Sequence, residues 1–239
     1  MEKLVSYFLL FIIYAFLGYI CEVIYVFILT KKLTNRGYLY GPLVPIYAFG
    51  AFLIILPLNE FNIGSFIMDK WYLVILYGFL STTLLEYLTS FIMEKIFHMR
   101  WWDYSDKFLN INGRVCLRNS LLFTILVVLV VYVLNPFLNN IVSYIMNIEI
   151  LAYILFFVIL ATLITDIIFS TIKHINISKI IIKLNEMKDK ALEKKEEINS
   201  YFNNIKNKIN NINIKYPTLR LIKDKKKISL NEILNKFKK

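Results

Sequence analysis

The chain has 239 residues, 58% of them hydrophobic and only 19% charged, with a mean hydropathy of +0.57. Soluble domains hold roughly 45–50% and 25%, so soluble catalytic folds are excluded, and so is disorder over the whole length. The net charge of +11 is unevenly placed: residues 173–239 hold 18 Lys and Arg against 7 Asp and Glu, which leaves residues 1–172 neutral.

Five apolar segments have spanning length, 4–29, 37–58, 71–97, 115–136 and 150–172, joined by short connections. Because lipid satisfies no backbone group, each is expected to be helical, and the fold class is an all-α, polytopic membrane bundle of five helices. The first run continues without a small-residue cleavage site, so no cleavable signal peptide is expected. Basic residues gather in the first connection (Lys31, Lys32, Arg36), in the third (Arg100, Lys107, Arg114) and in the tail. That bias predicts an N-terminus outside and a C-terminus inside the cell membrane.

The first span carries Glu22 beside Gly18 and Tyr25. The second contains Gly37, Gly41, Pro42, Pro45 and Gly50. Proline removes a donor and disfavours helix in the residue before it, so 40–47 is expected to be broken or kinked. Its freed carbonyls, with Asn35, Arg36, Tyr38, Tyr40 and Tyr47, either line a cavity or mark a plain packing kink. The third span places Glu86 in a stripe with Thr82, Thr89 and Ser90, the fourth holds Arg118, and the fifth holds Asp166 among Thr162, Thr165 and Ser170.

An intramembrane charge costs about 2.5–3.5 kcal/mol on insertion scales. Glu22, Glu86, Arg118 and Asp166 lie about 6–16 Å from the cytoplasmic ends of their spans at 1.5 Å per residue. Comparable depth points to one shared polar site, either a substrate, ion or proton site or an ion-pair network around Arg118.

The third connection reads His98-Met99-Arg100-Trp101-Trp102-Asp103-Tyr104-Ser105-Asp106. Paired tryptophans favour the membrane interface; with Arg100, Asp103, Tyr104, Asp106 and Arg114 the loop is either an anchor or a docking surface for a partner or headgroup. Cys21 and Cys116 are 95 positions apart and read as small apolar fillers. His98 and His174 lack metal-ligand spacing, so no metal site is expected, and no cofactor. No GxxxxGK[ST] occurs, hence no ATP hydrolysis through a Walker motif in this sequence.

In the tail, Ile177, Ile181, Leu184, Lys188, Ala191, Lys195, Ile198, Phe202, Ile205, Ile209 and Ile212 step by four and three, and Pro217 ends the pattern. The tail is a coiled coil with itself or a partner helix, a basic amphipathic helix on an anionic inner leaflet that also attracts the basic run 223–227, or a largely mobile segment.

The blocks NRGYLYGPLVPIYAFG (35–50), RWWDYS (100–105) and NGRVCL (112–117) resemble the signature stretches of the CmpB-like, type IV ABC-transporter permease family, over about residues 10–170. Ala48 and Asp106-Lys107-Phe108 depart from the pattern, which often has glycine and proline there. The resemblance implies a non-ATPase bacterial membrane subunit that works with a cytoplasmic ATPase. A weak internal echo joins Tyr14-Ala15-Phe16-Leu17 and Glu22 to Tyr77-Gly78-Phe79-Leu80 and Glu86. The competing readings are a structural or regulatory membrane protein that recruits a partner through its tail, and an enzyme acting on lipid headgroups through Asp103, Asp106, Arg114 and Arg118. No nucleophile–base pair supports catalysis, and nothing points to nucleic acid.

Overall fold

The computed structural model of the chain describes residues 1–33, 37–60, 70–190, 205, 207–208, 220–223 and 226–229. In chain order these form α1 (Glu2–Thr30), α2 (Pro45–Glu60), α3 (Trp71–Phe97), β1 (Met99–Arg100), β2 (Asn110–Ile111), β3 (Val115–Cys116) and α4 (Leu117–Leu129). A π-helical turn, Val130–Leu134, joins α4 to α5 (Asn135–Met146). Then come α6 (Glu149–Lys190) and the strands β4 (Arg220–Lys223) and β5 (Lys226–Ser229). The architecture is an all-α membrane bundle, and α3 shows why. Its Val74, Gly78, Thr82, Glu86 and Ser90 are buried at four-residue spacing, whereas Leu80, Leu84, Leu88, Ile92 and Ile96 lie exposed on the outside. Small and polar residues within, large aliphatics without, is the pattern of a helix whose solvent is lipid.

Among the described residues, four stretches are long and apolar enough to cross a membrane: Glu2–Ile28, Trp71–Phe97, Leu117–Met146 and Glu149–Leu184. The second expected span is not one of them. Of 37–58 only the part from Pro45 onward is helical, and residues 37–44 are irregular, as Pro42 and Pro45 require. The Val44 N–H donates to the Ala15 carbonyl at 2.9 Å, in the middle of α1. The irregular chain therefore climbs beside the second half of α1, and α2 continues antiparallel to the first half, pairing Phe11 with Phe49 and Tyr7 with Phe52. At Gly18 a Cβ would come within 2.4 Å of the Tyr47 side chain, so glycine is what lets α2 start that close.

Two boundaries also move. The expected loop 137–149 is mostly α5, because the π turn places Pro136 in the first turn of a new helical stretch, where its missing N–H does no harm. The last span does not stop near 172 but runs to Lys190 as one helix. A core of Leu9, Leu10, Tyr14, Ala51, Leu138 and Phe156 closes the bundle at the end that holds Glu2.

In the tail, Ile181, Leu184 and Ile205 of the seam are buried and Ile177 is half-buried. Its positions Ala191, Lys195, Ile198, Phe202, Ile209 and Ile212 lie outside the described residues, and nothing is described of the Lys188 side chain. Beyond Pro217 the chain forms strands, which the helical pattern does not foreshadow. β4 pairs antiparallel with β1, Met99 opposite Leu221, and β5 pairs with β4.

Candidate functional site

The irregular segment 37–44 is held by α6. Asp166 accepts the Tyr40 and Gly41 N–H groups at 2.8 Å each, and the Ser170 hydroxyl bonds the same carboxylate at 2.9 Å. A Cβ at Gly41 would meet Asp166 Oδ2 at 2.9 Å, so only glycine lets the backbone approach this closely. Below it, Tyr38 bonds Thr171 at 2.6 Å and stacks on His174, whose Nε2 sits 3.0 Å from the Tyr38 carbonyl. Asp166 is thus occupied with backbone donors. Tyr40 lies outside the cavity described below, with Lys173 Nζ 4.1 Å from its ring centre.

The third connection folds into a plug. Glu94, at the end of α3, pairs with both Arg100 and Arg114, the latter at 2.8 Å. Arg100 is 6% and Arg114 7% exposed. Arg100 also donates to the Asn112 carbonyl at 2.9 Å, and the Arg114 guanidinium lies over Phe91. Asn112 and Gly113 both have positive φ between β2 and β3, the backbone that Asn-Gly adopts in tight hairpins. Trp102 Nε1 donates to the Arg114 carbonyl at 2.9 Å, Trp101 packs on Phe97 and His174, and Asp103 accepts the Ser105 N–H at 2.9 Å. The loop read as an exposed anchor or docking surface is mostly turned inward; of its named residues, Asp106 is exposed.

Between plug and bundle two carboxyl groups come together. Glu22 from α1 accepts the Tyr47 hydroxyl at 3.0 Å. Glu86 from α3 is 4% exposed and is near enough to Glu22 for their charges to interact. The Tyr104 hydroxyl of the plug reaches the Glu86 carboxyl and the Asn119 side chain. Burial, with the Glu86 and Glu22 charges adding to it, pushes the Tyr104 phenol up, so it stays a protonated donor. Glu86 Oε2 is buried with no hydrogen-bond partner.

The four charges of the sequence reading divide accordingly. Glu22 and Glu86 meet, Asp166 holds backbone on the far side of Tyr40, and Arg118 is exposed on α4. Arg118 stands two residues before buried Ser120, about 200° around a helix, so it faces outward. Asn35 and Arg36 lie outside the described residues. Asp103, Asp106, Arg114 and Arg118, the headgroup-enzyme set, point to separate partners or to the surface. Glu94, Tyr104 and Asn119 complete the geometry. Glu94 was readable as the next four-residue step of the stripe Glu86, Ser90, whereas nothing in the sequence places Tyr104 beside Glu86.

Glu86 stands at one end of a cavity with about 750 Å³ of empty space, part of it open to the surroundings. Tyr14, Gly18, Cys21, Tyr47 and Thr82 line it with aliphatic residues of α2 and α4, and Val130 and Leu134 of the π turn close its far end. Such turns often mark functional sites. Among the described residues, no group of three or more His, Cys, Asp or Glu side chains could hold a metal ion.

No curated protein and no solved structure matches the chain. A family model described as "Putative ABC-transporter type IV" matches residues 9–171. That stretch contains the broken second span, the plug and both carboxyl groups, and the chain belongs to this ABC-transporter type IV family.

Proposed function

We propose that the chain is the membrane-spanning, non-ATPase subunit of a bacterial transport system, lying in the cell membrane with its N-terminus outside. On this reading a cytoplasmic ATPase supplies the energy, and the Glu22–Tyr47–Glu86–Tyr104 cluster is the intramembrane substrate or ion site. The observation that carries it is the Glu86 carboxyl at one end of an apolar cavity, near enough to Glu22 for the two charges to interact. Buried intramembrane acids mark transport pathways more often than packing, because packing alone is served at lower cost by apolar groups. Arg100 and Arg114 are engaged by Glu94 instead, so the cluster is left to attract a cation or a proton.

The test is purification of the full chain in lipid from cells that express its neighbours. A nucleotide-hydrolysing subunit should co-purify, and its ATP turnover should fall in Glu22→Gln and Glu86→Gln. Turnover that both variants leave intact would remove the site from the mechanism, and absence of any ATPase would remove the transport reading itself.

A second reading draws on the pairing of β4 with β1, which fastens the basic tail to the plug. A regulatory protein that recruits a partner through the tail would lose all activity on tail deletion and none on carboxyl substitution.

A further inference from the structure

We infer that the cavity beside Glu86 takes an amphipathic cation, a protonated amine carried on an apolar tail. The inference rests on the reading of the Glu22–Glu86 end as the substrate site, and it names the chemistry that site would accept.

The walls decide the tail. Along α4 the cavity runs from Phe123 to Leu134, about 16 Å at 1.5 Å per residue. Its lining there is Phe, Leu and Val, with Ile54 and Leu85 opposite. Apolar walls offer a bare inorganic cation none of the oxygen ligands it needs in place of water. They offer an alkyl or aromatic tail what it needs.

The end wall decides the head. Glu86 carries the one carboxyl group among the described residues that line the cavity, it is 4% exposed, and its Oε2 has no hydrogen-bond partner. A buried acceptor of this kind costs free energy until a donor arrives. The neighbours leave Oε2 open: the Tyr104 hydroxyl reaches the Glu86 carboxyl without giving Oε2 a partner, Tyr47 donates to Glu22, and the two arginines of the plug are paired with Glu94. An anion is repelled by two carboxyl groups, and a neutral tail leaves Oε2 as it is. An ammonium group supplies both the charge and the N–H donor, and charge-assisted bonds of that type are about twice as strong as neutral ones.

The experiment measures equilibrium binding of n-decylammonium and n-decanol to the full chain in phosphatidylcholine nanodiscs, with empty nanodiscs as the blank. Wild-type protein should bind the amine saturably and the alcohol at least about tenfold more weakly, a difference of about 1.4 kcal/mol. Glu86→Gln should weaken the amine by a similar factor and leave the alcohol unchanged. At Gly50 an added Cβ meets Leu85 at 3.6 Å, an ordinary contact, so Gly50→Leu should fill the cavity and weaken both probes while Glu86 is intact.

Equal binding of amine and alcohol overturns the proposal. So does amine binding unchanged by Glu86→Gln or by Gly50→Leu, or competitive displacement of the amine by Na⁺ or K⁺. If Glu86→Gln does not fold, the amine-to-alcohol ratio in the wild type and Gly50→Leu still decide. The assay contains no ATPase. Loss of amine binding with ATP turnover still sensitive to Glu86→Gln would discard this ligand class alone, and amine binding with no ATPase partner would discard the transport reading alone.

Discussion

Two irregular segments enter the bundle at the same end, and they are fixed by opposite means. Residues 37–44 are held mainly from outside: the Tyr40 and Gly41 N–H groups are satisfied by Asp166, about 125 positions away on α6, and the Val44 N–H by the Ala15 carbonyl of α1. Residues 98–116 carry their own support, a β-hairpin and a Glu94–Arg100–Arg114 cluster drawn from 21 consecutive positions. One segment is borrowed structure and the other is self-contained.

The largest effect should come from the self-contained side. Glu94→Ala leaves two nearly buried guanidinium groups without their shared carboxylate, and removing one partner of a buried pair costs about 3–5 kcal/mol. Thermal unfolding in lipid-like detergent should show a loss of that order, and proteolysis should begin within the plug. An unchanged melting curve would mean that the hairpin alone holds the loop.

Asp166→Ala should cost less, because it strands one backbone donor, the Gly41 N–H, rather than two charges, while the Tyr40 N–H keeps the Ser170 hydroxyl at 3.1 Å. A buried, unsatisfied donor costs about 1–3 kcal/mol. The loss should be local: a cysteine at Tyr40 should gain reactivity toward a polar thiol reagent while the plug stays protected. If plug and segment loosen together, the contrast between them is false.

Arg118→Ala should do least. An exposed side chain away from such features changes stability by no more than about 0.5 kcal/mol. A loss above 2 kcal/mol would restore the ion-pair network around Arg118 that the sequence alone suggests.

The same contrast explains what could be read from the sequence. Among the described residues hydropathy marked the four helices long and apolar enough to cross, but it also marked 37–58, which is helical only from Pro45; Pro42 and Pro45 marked the break there, because both signals are local. Glu22 and Glu86 could be grouped because each lies on a stripe of small or polar residues. Arg118 was misplaced by counting its depth without its angle; the buried stripe Ser120, Thr124, Val127 and Val131 shows that it faces away. Asp166 looked like a site residue because a backbone partner in a remote, irregular segment leaves no pattern on its own helix. β4 and β5 were missed for a related reason, since strand pairing with β1 spans more than 100 positions of chain.

The unbroken length of α6 has a mechanical consequence. Its 42 residues extend about 63 Å, roughly twice the 30 Å of a hydrocarbon core, and Asp166 sits part-way along. From Asp166 to Lys190 is a lever arm of about 36 Å, gripping residues 37–44 at its fulcrum. A ten-degree swing of its far end, about 6 Å of travel, would turn that grip and pull on residues 37–44, which lead straight into the cavity-lining Ile46 and Tyr47 of α2.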